Sequence, residues 1–120
     1  MIVLDASAVL AFLQDEQGAD RVEKLLPSAV IGAANWSEVA QKVRARGGNW
    51  HVASALLQSY GLSIEAVTVS DAEQAAELWH RGSGLSLGDR LCLALGNRLH
   101  VKVLTADRAW SESDFVEQLR

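Results

Sequence analysis

The sequence predicts an α/β domain, a mostly parallel sheet of four or five short strands flanked by helices. Two observations lead there. Short, wholly apolar runs alternate with longer stretches whose apolar residues recur at helical spacing, the pattern of buried strands joined by crossover helices. The length, 120 residues, suits one domain over residues 1–120, large enough to bury about two-thirds of its unfolded surface without staples.

Met1-Ile2-Val3-Leu4-Asp5 reads as a buried strand, and Ala6 to Leu13 as the helix that follows it. After a polar turn, Gly18 to Leu26 reads as a second helix, stopped by Pro27, which has no N–H to continue it. Ser28 to Gly32 is the second strand. Asn35 opens a helix with Trp36, Val39, Ala40 and Val43 at i, i+3, i+4 and i+7. Arg44 to Asn49 is its basic end and a turn. Trp50 to Tyr60 returns as the second arm of an αα-hairpin, with Val52, Ala53, Leu56, Leu57 and Tyr60 inward.

Leu62 to Val69 reads as a third strand. Ser70 and Glu73 fit a capping box opening a helix from Asp71 to Arg81, with Ala72, Ala75, Ala76 and Trp79 on one face. Ser86 and Asp89 fit another box. The run after it, Leu91-Cys92-Leu93-Ala94-Leu95, is apolar on every side and predicts a central, covered helix. Val101 to Leu104 is the fourth strand. Ser111 to Arg120 reads equally as helix or edge strand.

Composition narrows the function. The formal net charge is −4, which argues against a broad basic surface for non-specific nucleic-acid binding but leaves room for a local basic groove. The single cysteine, Cys92, excludes an internal disulfide and suits a reducing cytoplasm. No apolar run reaches the roughly 18 residues of a membrane span. His51, His80 and His100 are scattered without metal-ligand spacing and read as surface residues.

Four acids share one feature. Asp5 and Asp107 follow strands; Glu38 and Asp89 lie near helix starts. Each has a structural reading: Asp5 as an N-cap, Glu38 as partner of Asn35 in a box or of Lys42 in an i,i+4 pair, Asp89 as partner of Ser86. In a parallel sheet, however, strand C-termini and the following helix N-termini meet at one edge, where ligands bind. Four carboxylates gathered there repel one another unless a cation lies among them, and hard oxygen ligands suit Mg²⁺ or Mn²⁺. Carboxylate-bound ions of this kind serve phosphodiester hydrolysis. Ser7 and Thr105, each two residues from an Asp, can orient a carboxylate through a hydroxyl.

The stretches Ile2-Val3-Leu4-Asp5-Ala6-Ser7, Glu38 on its helix, Gly84 to Ala94 and Leu104 to Trp110 fall in an order that resembles the PIN domain, and more narrowly the VapC toxins of VapBC toxin–antitoxin pairs. The resemblance implies a Mg²⁺- or Mn²⁺-dependent endoribonuclease whose acidic quartet is Asp5, Glu38, Asp89 and Asp107. It also implies a homodimer, held inactive by a VapB-type antitoxin. Trp36 and Trp50, on the αα-hairpin, are then candidate antitoxin contacts. Arg90 and Arg108 are candidates for an RNA phosphate, or equally for a neighbouring carboxylate. Two other readings stand beside this one: a catalytically silent PIN-like module that binds RNA or protein, and a small phosphatase or receiver-like domain built on Asp5.

Overall fold

The computed structural model describes residues 1–111 and 113–120. Five strands form one all-parallel sheet: β1 (Ile2–Leu4), β2 (Ala29–Gly32), β3 (Ser63–Glu65), β4 (Val103–Thr105) and β5 (Val116–Gln118). Their order across the sheet is β3-β2-β1-β4-β5. Six helices connect them: α1 (Ala6–Leu13), α2 (Ala19–Leu25), α3 (Ala33–Ala45), α4 (Trp50–Ser59), α5 (Val69–Glu77) and α6 (Leu87–Leu99). The chain leaves β1 toward β2 on one side and returns as β4 on the other. The topological switch point is therefore at the C-terminal ends of β1 and β4, where open parallel sheets leave a crevice.

The strands are apolar throughout because both faces are covered. Leu4, Ile31 and Leu104 pack into one core with Val9, Val22, Val39 and Leu57 from the helices. Val3, Val30 and Val103, one residue out of phase, pack into a second core with Cys92, Leu95, Trp110 and Val116. A Cβ on Gly96 would collide with Val103, so glycine lets α6 lie close against β4. The ambiguous C-terminal segment is an edge strand from Val116. No helix of the described residues is long and apolar enough to cross a membrane.

Several expectations are corrected. The third strand stops at Glu65, and α5 starts at Val69 from a capping box of Thr68 and Asp71, not Ser70 and Glu73. Thr68 Oγ1 accepts from Asp71 N at 3.0 Å and Asp71 Oδ2 from Thr68 N at 3.1 Å. Arg98 of α6 then grips the Asp71 carboxylate, which selects this box over its neighbour. α5 ends at Glu77, leaving Trp79 outside the helix and 56 % exposed. On α4 only Leu57 is buried. Val52 and Leu56 face outward, while Tyr60, the C-cap of α4, sets its ring edge-on against Phe12 of α1. α6 is not covered all round: Leu91 and Leu93 are half-buried and Leu87 is exposed.

Candidate active site

Asp5 is the first residue after β1 and the N-cap of α1, and it is 4 % exposed. Its carboxylate accepts three hydrogen bonds: from Ser7 Oγ at 2.7 Å and Ala8 N at 2.9 Å on Oδ1, and from Thr105 Oγ1 at 2.6 Å on Oδ2. Ser7 Oγ accepts from Ala106 N at 2.9 Å, and Thr105 Oγ1 from Asp107 N at 3.0 Å. The two hydroxyls thus tie the end of β1 to the end of β4 and both aim Asp5: Ser7 orients the Asp two residues before it, as its spacing suggests, whereas Thr105 reaches across to Asp5 and not to the carboxylate of Asp107. The cap and the oriented carboxylate are one arrangement, not alternatives.

Asp89 is the third residue of α6. Ser86 Oγ accepts from Asp89 N at 3.1 Å, and Asp89 Oδ2 accepts from Ser86 N at 2.9 Å, so the expected box forms. Glu38 arrives by another route. α3 begins at Ala33, straight after Gly32, which puts Glu38 in the second turn and makes Asn35 an interior residue and not a cap. Asn35 is 2 % exposed, and its amide donates to Glu38 Oε1 at 2.9 Å and to Gly88 O at 3.1 Å. It therefore holds Glu38 against the first turn of α6. Gly88 is needed there, since a Cβ would run into the Glu38 carboxylate. Reading Asn35 only as a capping partner missed this clamp. The signal available was the polar side chain three residues before an acid.

The charges of three of the acids reach one buried thiol. The buried Cys92 thiol is pushed well above its usual range, first by burial and then by the charges of Asp5, Asp89 and Glu38. Asp5 is itself raised above the ordinary carboxylate range. Burial is the main cause; Asp89 adds to it, and the hydrogen bonds from Thr105, Ala8 and Ser7 work against it. Among the described residues, no Lys or Arg forms an ion pair with Asp5, Glu38, Asp89 or Asp107.

Asp107 stands apart. It is exposed, and its Oδ1 accepts from Ala109 N at 2.9 Å; its link to the others is its backbone N–H on Thr105. As the side chains lie, no three His, Cys, Asp or Glu of the described residues could hold one metal ion. The donor chemistry nevertheless fits a hard divalent cation: carboxylate oxygens only, one of them buried without a counter-charge.

The remaining candidates divide. Arg90 is half-buried and donates to Ala75 O at 2.7 Å, in the last turn of α5, and among the described residues it forms no ion pair. Arg108 is exposed and lines a cavity with Trp110, Gln118 and Arg120. Trp36 and Trp50 stack edge-to-face at 4.8 Å between centroids and fasten α3 to α4.

A five-stranded parallel sheet with acids converging where β1 and β4 end matches a known class: residues 2–116 match the model of the PIN domain. Ribonuclease VapC42 of Mycobacterium tuberculosis is 32% identical over 106 residues, covering 78% of this chain and 81% of that protein. Among solved structures, a toxin–antitoxin complex from Klebsiella pneumoniae superposes with a TM-score of 0.80 at 18% identity, over 100% of this chain and 98% of its own. The DNA-bound VapBC of Salmonella typhimurium does so with a TM-score of 0.71 at 14% identity, over 99% and 98%. The chain belongs to the PIN-domain family and, within it, to the VapC proteins.

Proposed function

We propose that this protein is a metal-dependent endoribonuclease, the toxin of a type II toxin–antitoxin pair, acting in the cytoplasm as a homodimer. The observation that carries the reading is the placement of Asp5 at the end of β1, of Asp89 in the first turn of α6 and of Glu38 held by Asn35 against that same turn, with no ion pair to any of the three among the described residues. The relatives named as VapC ribonucleases support the substrate class.

In this reading Asp5 and Asp89 bind Mg²⁺ or Mn²⁺ directly, and Glu38 and Asp107 bind it directly or through water. Bound there, a divalent ion supplies Lewis-acid chemistry, acidifying water and taking up charge on phosphoryl oxygens. The chain's own part is positioning. Ser7 and Thr105 fix the Asp5 carboxylate, Asn35 fixes Glu38, and Ser86 fixes Asp89. Arg108, exposed beside Asp107, contacts an RNA phosphate; Arg90 serves to hold α6 on α5.

The antitoxin is a VapB-type chain that covers the outer face of the αα-hairpin. Val52, 64 % exposed, and Leu56, 41 % exposed, border an apolar groove with Leu13 and Val43. These residues are better anchors than Trp36 and Trp50, whose rings are largely taken up by each other. The structural likeness to a toxin–antitoxin complex supports this partner class.

The test is to incubate the protein with total RNA, with and without Mg²⁺ or Mn²⁺, beside Asp5→Ala. Metal-dependent cleavage absent from the variant is the expected result. RNA retained without cleavage under either metal would contradict the reading and favour a silent binding module.

A further inference from the structure

Although the chain is acidic, cations collect beside the carboxylates. A groove of about 340 Å³ opens next to the site, lined by Ser7 and Ala106 and by Lys42, Arg46 and Arg120. A second, of about 230 Å³, contains Arg120 again, with Arg108. Arg120 lines both, so the four cations line one crescent of adjoining cavities. The first groove holds one acid, Glu16. Among the described residues none of the four cations is in an ion pair, and Arg120 is fixed by donating to Gln17 O at 2.8 Å. Glu38 and Lys42 lie at i and i+4 on α3, about 6 Å of rise apart, and Arg46, four residues further, is the C-cap of that helix. A line of positive charge therefore starts where the carboxylates are and leads away from them.

We infer that this crescent is the track for the sugar–phosphate backbone of the RNA strand, with Lys42 and Arg46 binding the phosphates that flank the cleaved bond on the α3 side. The inference rests on the ribonuclease reading. No aromatic ring lines the first groove, and Trp110 in the second is 4 % exposed, so no base stacks there. Contacts to phosphate alone position the strand without reading its sequence. The crescent thus explains how a protein of net charge −4 holds a polyanion beside a cluster of acids.

The test measures binding of fluorescent oligoribonucleotides of several sequences to the cleavage-deficient Asp5→Asn protein over a range of salt concentrations. Adding Lys42→Gln and Arg46→Gln should weaken binding alike for every sequence. It should also reduce the slope of log K against log salt by about 1.4, the value for two lost single-strand contacts. The charge-keeping pair Lys42→Arg and Arg46→Lys should restore the slope, which separates lost charge from lost fold. Lys24→Gln with Lys102→Gln, in the last turn of α2 and just before β4 and outside both cavities, should leave it unchanged. An unchanged slope with the neutral pair, in a protein whose parent cuts RNA, would overturn the track and leave the ribonuclease standing. Sequence-dependent loss would overturn it in favour of base recognition, and intact RNA binding with a weakened protein partner would reassign the groove. A parent that neither binds nor cuts RNA would remove both readings.

Discussion

α5 and α6 begin in the same way and end up doing different things. Thr68 with Asp71, and Ser86 with Asp89, form the same reciprocal capping box, with bonds between 2.9 and 3.1 Å. Asp71 is then buried under Arg98, whose Nε donates to Oδ1 at 2.8 Å. Burial pushes the Asp71 carboxyl up, but the guanidinium and the Thr68 bonds outweigh it, and the net shift is downward. Among the described residues Asp89 has no such cation; its charge acts on Asp5, and the Glu38 carboxylate lies against the adjacent Gly88. One helix start is electrostatically complete within the chain; the other lacks a positive charge. The comparison teaches that the local motif sets where a carboxylate points, and the distant partner decides whether it stabilises the fold or awaits a ligand.

Substituting the two aspartates should separate these roles. Asp89→Asn should lower metal-dependent RNA cleavage more than about 100-fold, beyond the loss typical of groups that only orient a ligand, with an unchanged circular dichroism spectrum. Thr105→Val keeps the shape of the side chain but removes the donor to Asp5. It should cost about 10- to 100-fold, read as a higher metal concentration for half-maximal cleavage. Asp71→Asn should leave cleavage intact and lower unfolding stability in urea by about 2 kcal/mol, since charge-assisted hydrogen bonds to Arg98 are lost. Gly88→Ala should have the smallest effect on stability, a gain within about 1 kcal/mol from helix propensity, yet reduce cleavage by displacing Glu38. A loss of stability there, with full activity, would mean that Gly88 serves packing and not the site.

Acid and base should act oppositely on the two regions. Asp71, with its lowered carboxyl, contributes stability that is present above its unfolded value and lost as pH falls through its folded one. Asp5 is raised, so between its unfolded and folded values the native form keeps a proton that the unfolded form has released. Its contribution is therefore lost as pH rises through that window. Thermal melts in chelator between about pH 3 and 8 should show Asp5→Asn removing the decline on the alkaline side and Asp71→Asn removing the decline on the acid side.

Much of this was legible in the sequence. The strand at Met1 to Asp5, the box at Ser86 and Asp89, and the bond from Ser7 to Asp5 follow from local pattern; the bond from Thr105 to Asp5 spans 100 residues and does not. What stayed hidden depends on partners far along the chain. Thr68-Val69-Ser70-Asp71 offers two overlapping helix starts, and Arg98, 27 residues beyond Asp71, chooses between them. The stripe of Val52, Leu56 and Tyr60 announces an apolar face, but spacing cannot say whether the chain itself covers it. Asn35 sat three residues before Glu38 in either reading. Only the approach of Gly88 O shows that its amide clamps α3 to α6.

The central claim is that a divalent cation does for Asp89 what Arg98 does for Asp71. Thermal unfolding with and without Mn²⁺ tests it most directly. At 100 times its dissociation constant the ion should stabilise the protein, and Asp71→Asn equally, by about 2.7 kcal/mol, while Asp5→Asn and Asp89→Asn should show no shift. No stabilisation of the parent, or the same stabilisation in Asp89→Asn, would contradict the account.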